Sequence, residues 1–260
     1  MKAVKPTAAL GILVLIAVAI FLLVLRTQQG DVRVSKINAA PLRDAKGSVG
    51  VFLTLHNSGD ADRLVAVRSI VARRARLDGS VADAGLAMPG PSRTELAPDG
   101  AHIVLEGVGG ALVPGRMIPI TLRFQHADEL RIQAPLGEPI SRAAAGQAGL
   151  GAPLAQTEGP PTPDITLQVQ PDGVGWIVQV TTAGFTFSEE DEMTEHVPGT
   201  GYGILYLGGL RLQRLHQPGA RIGALPPGRH EIRVTLHTND HRVYLVDGQP
   251  VTATAEIIVH

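Results

Sequence analysis

Apolar residues fall into two patterns along this chain. From Thr7 to Leu25 (TAALGILVLIAVAIFLLVL) they form one run without a charge. As a helix that run spans roughly 28 Å, close to the hydrocarbon core of a bilayer. From residue 31 onward the pattern breaks into short stretches. Val51-Phe52-Leu53-Thr54-Leu55 is rich in strand formers and stops at the turn Asn57-Ser58-Gly59-Asp60. Ile118, Ile120, Leu122 and Phe124 alternate with Met117, Pro119, Thr121 and Arg123. A period of two describes a strand with one buried face. The same alternation returns at Ile165, Leu167 and Val169, at Trp176, Val178 and Val180, and at Ile232, Val234 and Leu236, and residues 253–259 close the chain as a last strand.

These patterns predict a helical anchor followed by an all-β protein of two antiparallel sandwiches, cupredoxin- or Ig-like. The expected division is 1–30 for the cytoplasmic N-terminus and anchor, 31–134 for the first sandwich and 164–260 for the second. Between them, residues 135–163 are rich in Ala, Gly and Pro and end in Pro160-Pro161-Thr162-Pro163. That composition predicts a semi-extended linker, with a short helix near Ser141 to Gln147 as its one candidate element.

Lys2 and Lys5 precede the apolar run and orient it with the N-terminus in the cytoplasm. The rest then lies outside, in the periplasm of a Gram-negative cell. A cleaved signal peptide is the competing reading. Against it, Arg26-Thr27-Gln28-Gln29 offers no small-x-small cleavage site. The expectation is a single-pass inner-membrane protein.

Composition narrows the chemistry. Net charge is −1, which gives no electrostatic case for nucleic acid. Gly (30) and Pro (19) are plentiful and aromatics make up only 3%, which suits short strands and many turns. There is no Cys, hence no disulfide, thiolate metal site or lipidated Cys. Enzyme signatures are missing too: no GxSxG, P-loop, HExxH or strand-linked GxGxxG occurs. The expectation is a protein that is not an enzyme.

Four stretches carry a resemblance: Val51 to Asn57 (VFLTLHN), Asp60 to Leu64 (DADRL), Asp99 to Leu105 (DGAHIVL) and Pro114 to Phe124 (PGRMIPITLRF). Together they resemble the periplasmic PCu(A)C copper chaperones. The resemblance implies a β-sandwich holding Cu(I) through His and Met, the soft donors that ion prefers. It places His102 at a ligand position, Val104 where a Met belongs, and Asp78 where the first His belongs. Met88 corresponds to a middle Met. His102, Met88 and Asp78 are therefore the candidate metal residues of the first half. The competing reading makes His102 a strand-end residue and Met88 a core or loop filler.

The second half resembles a family of bacterial periplasmic β domains with a His-rich strand. The resemblance rests on Glu195 to Tyr206 (EHVPGTGYGILY), Arg214, Leu225-Pro226-Pro227-Gly228 and Thr235 to His241 (TLHTNDH). It implies an imidazole site suited to Cu(II) or Zn. Here Tyr202 and Ile204 stand at the His-x-His positions and Arg221 at the next. His241 and His196 remain as the candidate ligands, and Asn239-Asp240-His241 also reads as a simple turn. His56, His216, His230 and His237 read as structural or solvated, and Ser188 to Glu192 as a solvated acidic loop.

Two functions are expected to compete. One is a copper-chaperone-like protein with weak or lost copper binding, tied to a membrane metalloenzyme such as a haem–copper oxidase or another respiratory or photosynthetic complex. The other is a non-catalytic accessory subunit that docks its β domains on a membrane complex without metal. Copper is the one cofactor in question.

Overall fold

The computed structural model describes residues 31–79, 85–141, 149–157, 162–188 and 196–260. The apolar run 7–25, the helix expected near 141–147 and most of the acidic run 188–192 lie outside them. Every regular element among the described residues is a strand. No helix among them is long and apolar enough to cross a membrane. Val32–His260 form one compact unit.

The first half contains β1 (Val32–Pro41), β2 (Val49–Asn57), β3 (Asp62–Arg68), β4 (Arg74–Asp78), β5 (Leu86–Met88), β6 (Ser92–Leu96), β7 (His102–Glu106), β8 (Met117–Phe124) and β9 (Leu130–Pro135). One layer is ordered β5-β3-β8-β9. The other is built around β2, which pairs with β1 on one edge and with β6 and β7 on the other. Leu53, Leu55, Leu64, Ile103, Leu105, Ile118 and Leu122 fill the space between the layers. Burying each such side chain contributes roughly 1.5–3 kcal/mol. β8 keeps the predicted alternation: Ile118, Ile120, Leu122 and Phe124 point inward. β2 has neighbours on both edges, and nearly every residue along it is buried.

A connecting segment then contributes β10 (Leu154–Gln156). Its Leu150 packs with Ala40 and Phe52 of the first half. The second half contains β11 (Asp164–Asp172), β12 (Gly175–Ala183), β13 (Thr186–Phe187), β14 (Thr200–Leu207), β15 (Leu210–Leu215), β16 (Gly219–Ile222), β17 (Gly228–His237), β18 (Val243–Val246), β19 (Gln249–Pro250) and β20 (Thr252–Val259). Here the layer β11-β12-β16 covers a core of Val178, Val180, Leu205, Leu207, Ile232, Val234 and Leu236. Among the described residues, pairing between these strands is antiparallel except where β10 joins β18 and β13 joins β14. Both exceptions link strands separated by long connections, which parallel pairing requires.

The two halves share one sheet. β15 meets β6 at Arg211 and Glu95, so the large sheet runs on from β14 and β15 into β6 and β2. The turn between β14 and β15 makes this possible. Ala101 N–H donates to the Gly209 carbonyl at 2.6 Å. Gly209 has φ +88°, and a Cβ there would lie 2.0 Å from the Gly79 carbonyl oxygen. Only glycine tolerates both the left-handed backbone and that approach.

Candidate functional site

The antiparallel register of β4 and β7 sets Asp78 directly opposite His102. His102 is buried; its Nδ1 lies 3.0 Å from the Gly100 carbonyl and its Nε2 3.8 Å from Asp78 Oδ2. The other Asp78 oxygen takes a 2.7 Å contact from Arg76 Nη1. Burial alone pushes the Asp78 carboxyl up, but the hydrogen bond and charge of Arg76 outweigh it and hold it below the usual range. Arg76 Nε also donates to Glu106 at 2.9 Å. The result is a guanidinium–carboxylate–imidazole row beside a cleft of about 250 Å³, which Asp99, Gly149 and Arg233 also line.

Two of the three candidate metal residues of this half thus meet and one stands apart. Met88 has no exposed surface; it sits on β5 opposite Asp62 and packs in the first-half core. It is not among the residues lining the His102 cleft. Val104 is buried as well. These donors do not fit Cu(I). One imidazole and one hard carboxylate replace a soft His/Met set, and a cation sits 2.7 Å from that carboxylate. Among the described residues no group of three His, Cys, Asp or Glu could hold a metal ion.

In the second half β14 turns Tyr202, Ile204 and Tyr206 to one face, all three buried. Leu205 and Leu207 point the other way, into the core. Tyr202 gathers histidines. His237 stacks on its ring with centroids 5.4 Å apart, His216 lies at 5.8 Å, and the Tyr202 hydroxyl is 2.8 Å from His241 Nδ1. The Arg214 guanidinium lies 5.0 Å above the same ring. Burial pushes the His237 pKa down to about 4, so at neutral pH it is an uncharged ring. The two candidates of this half go to different tyrosines. His241 joins Tyr202, while His196 lies 5.7 Å from the Tyr244 ring. Arg221 is exposed and pairs with Asp172 at 2.9 Å.

Between the halves lies a polar group that the sequence did not reveal. Asp99, on the turn before β7, accepts from the Tyr206 hydroxyl at 2.8 Å and from Arg211 Nη2. Arg211 Nη1 also lies 3.6 Å from Glu95 Oε2. Burial pushes the Asp99 carboxyl up, and the Arg211 charge outweighs it, so the net displacement is downward. Asp99 reads as an ordinary Asp-Gly turn residue. Its partners stand more than a hundred positions away, and no local pattern points to them.

The family match falls on the first half. Residues 30–136 match the family model described as LpqE-like, less than half of the chain. No curated protein matches the chain. Among solved structures it is similar to the copper-bound PCuAC domain from PmoF2, at 23% identity, 42% of this chain, 95% of that one and a TM-score of 0.39. It is similar to the apo PCuAC domain from PmoF1 at 27% identity, 42% and 96% coverage and a TM-score of 0.39. It is also similar to apo-DR1885 from Deinococcus radiodurans at 23% identity, 43% and 81% coverage and a TM-score of 0.33. The family match takes in the stretches that carry the sequence resemblance of the first half.

Proposed function

We propose that the chain is a membrane-anchored, periplasmic relative of the PCuAC copper chaperones whose own copper binding is weak or lost, and that it associates with a membrane metalloenzyme complex. One observation carries this reading. Where the family resemblance expects soft Cu(I) donors, the chain sets the row Arg76–Asp78–His102. A fixed guanidinium repels an incoming cation, and a carboxylate is a poor partner for Cu(I).

The test is a Cu(I) competition titration on the full-length chain in detergent, with His102→Ala in parallel. The expected result is no binding tighter than the competing probe and no effect of the substitution. One tight equivalent that disappears in His102→Ala would overturn the reading and make the protein a copper carrier.

A second reading is an accessory subunit that docks both β halves on a membrane complex without metal. The continuous sheet and the Asp99–Arg211–Tyr206 group support it, since they let the two halves present one surface. Affinity purification from solubilised membranes separates the two. A subunit holds its partner at fixed stoichiometry through extended washing, and a transient carrier loses it.

A further inference from the structure

A second cleft, of about 390 Å³, opens between the halves on the side of β17 and β20. Arg63 and Ala87 come to it from the first half, and Gly208, Glu231 and Ala255 from the second. Arg63 is 7% exposed. Its Nη2 donates to the Pro227 carbonyl. No carboxylate among the described residues lies within ion-pair distance of it. The neighbouring Asp62 is committed elsewhere: its oxygens accept the backbone N–H groups of Arg63 at 2.7 Å, His126 at 3.0 Å and Ala127 at 2.9 Å. Burial accordingly lowers the guanidinium's pKa, and no acid offsets the effect.

The opposite charge is left over in the same cleft. Glu231 on β17 stands directly opposite Glu256 on β20. Facing carboxylates repel across a strand pair. Arg229 neutralises Glu256 at 2.7 Å, and no cation among the described residues pairs with Glu231. Beside the Arg229–Glu256 pair, the cleft thus holds one guanidinium, Arg63, and one carboxylate, Glu231, with no ion-pair partner among the described residues. A guanidinium suits the two oxygens of a carboxylate. A plain phosphate or simple anion would face repulsion from Glu231. A ligand carrying both charges satisfies both ends. Gly85, Ala87, Gly208 and Ala255 give the wall a small apolar stretch beside His230, Thr254 and the Arg229–Glu256 pair. Sites of this kind favour junctions between structural units.

We propose that this cleft binds a free aliphatic α-amino acid, its carboxylate on Arg63 and its ammonium group on Glu231. The site shares Glu231 with the wall of the His102 cleft but uses neither His102 nor any metal, so it stands or falls apart from the function proposed above.

The experiment is isothermal titration of the full-length chain in detergent with L-alanine, L-valine and L-leucine. Isocaproate, which lacks the ammonium group, and isoamylamine, which lacks the carboxylate, serve as controls. Arg63→Met and Glu231→Gln are run beside the natural chain, with circular dichroism confirming that each is folded. The expected result is saturable one-site binding of at least one amino acid. Either substitution weakens it by roughly tenfold or more, and each control binds at least as weakly. No heat from any of the three amino acids overturns the proposal. So does isocaproate binding as tightly as leucine with no effect of Glu231→Gln, an outcome that leaves a simple anion site. Because Glu231→Gln alters a partly exposed side chain outside the core, it stays informative even where Arg63→Met fails to fold.

Discussion

Two arginines sit at the junction of the halves, and their surroundings are opposite. Arg211 reaches Asp99 and Glu95, and Tyr206 donates to the same Asp99 oxygen. Burial alone would lower the Arg211 pKa, but the Asp99 charge overcomes it and raises it. Arg63 is buried against the Pro226-Pro227 turn with one carbonyl partner and, among the described residues, no acid within ion-pair distance. Its pKa moves down. A paired buried charge holds two elements together. An unpaired one costs stability and needs another reason to be there. The same residue type therefore acts as a clamp in one place and is spare for a ligand in the other.

The strongest way to break this comparison is to remove the clamp's acid. Asp99→Ala leaves Arg211 with only its 3.6 Å contact to Glu95 and takes the acceptor from the Tyr206 hydroxyl. Breaking a buried pair from one side costs about 3–5 kcal/mol. For a chain of this size that lowers the melting temperature by roughly 10 °C. Thermal unfolding by circular dichroism measures it. An unchanged melting temperature would put Arg211 in the same class as Arg63, and the contrast would fail.

Acid titration sharpens the clamp's side of the comparison. His237 faces the charges of Asp99, Arg211 and Arg214 and stacks on Tyr202. Its pKa falls from an ordinary 6.5 to about 4, chiefly through burial. Between those values the unfolded chain binds a proton that the folded chain refuses. Stability therefore falls as pH drops from 6.5 towards 4, by about 3 kcal/mol, and is level above that window. Asp99 follows at lower pH. Its folded pKa is depressed, so its contribution is complete above the unfolded carboxylate value and is lost as pH falls through the folded one. Melting temperature against pH is expected to show these two descents in turn. His237→Phe should shrink the first to the share left by His230, whose pKa burial also lowers, and leave the second. A natural chain with no change between pH 6.5 and 4 would contradict the burial of a neutral His237.

The all-β fold was legible in the alternation of β8, where Ile118, Ile120, Leu122 and Phe124 all point inward. Burial on one face writes a period of two directly into the sequence. The pairing of Asp78 with His102 was half legible. The family resemblance named both positions, but the register of β4 and β7 and the grip of Arg76 belong to the folded sheet. The pull of Met88 into the core was not legible as a choice, since a thioether serves equally as ligand or filler. The junction left no trace at all. Asp99 and Arg211 are 112 positions apart, and contacts of that kind have no period and no spacing rule. The histidines around Tyr202 were hidden for the same reason: β14, the bend after β15, β17 and the turn after β17 each supply one ring.

The smallest expected effect tests the other arginine. Arg63→Met deletes a desolvated charge and keeps most of the side chain's apolar length. Relief of desolvation stabilises the folded chain. The Pro227 carbonyl loses its donor, which costs about 1 kcal/mol. The two terms oppose each other, so the melting temperature is expected to stay within a few degrees of the natural chain. That near-neutrality is the counterpart of the Asp99→Ala loss, and the pair of measurements carries more than either alone. A fall as large as that of Asp99→Ala would make Arg63 a structural pin for the Pro226-Pro227 turn. The guanidinium would then be accounted for by the fold, and the argument for a ligand in its cleft would lose its premise.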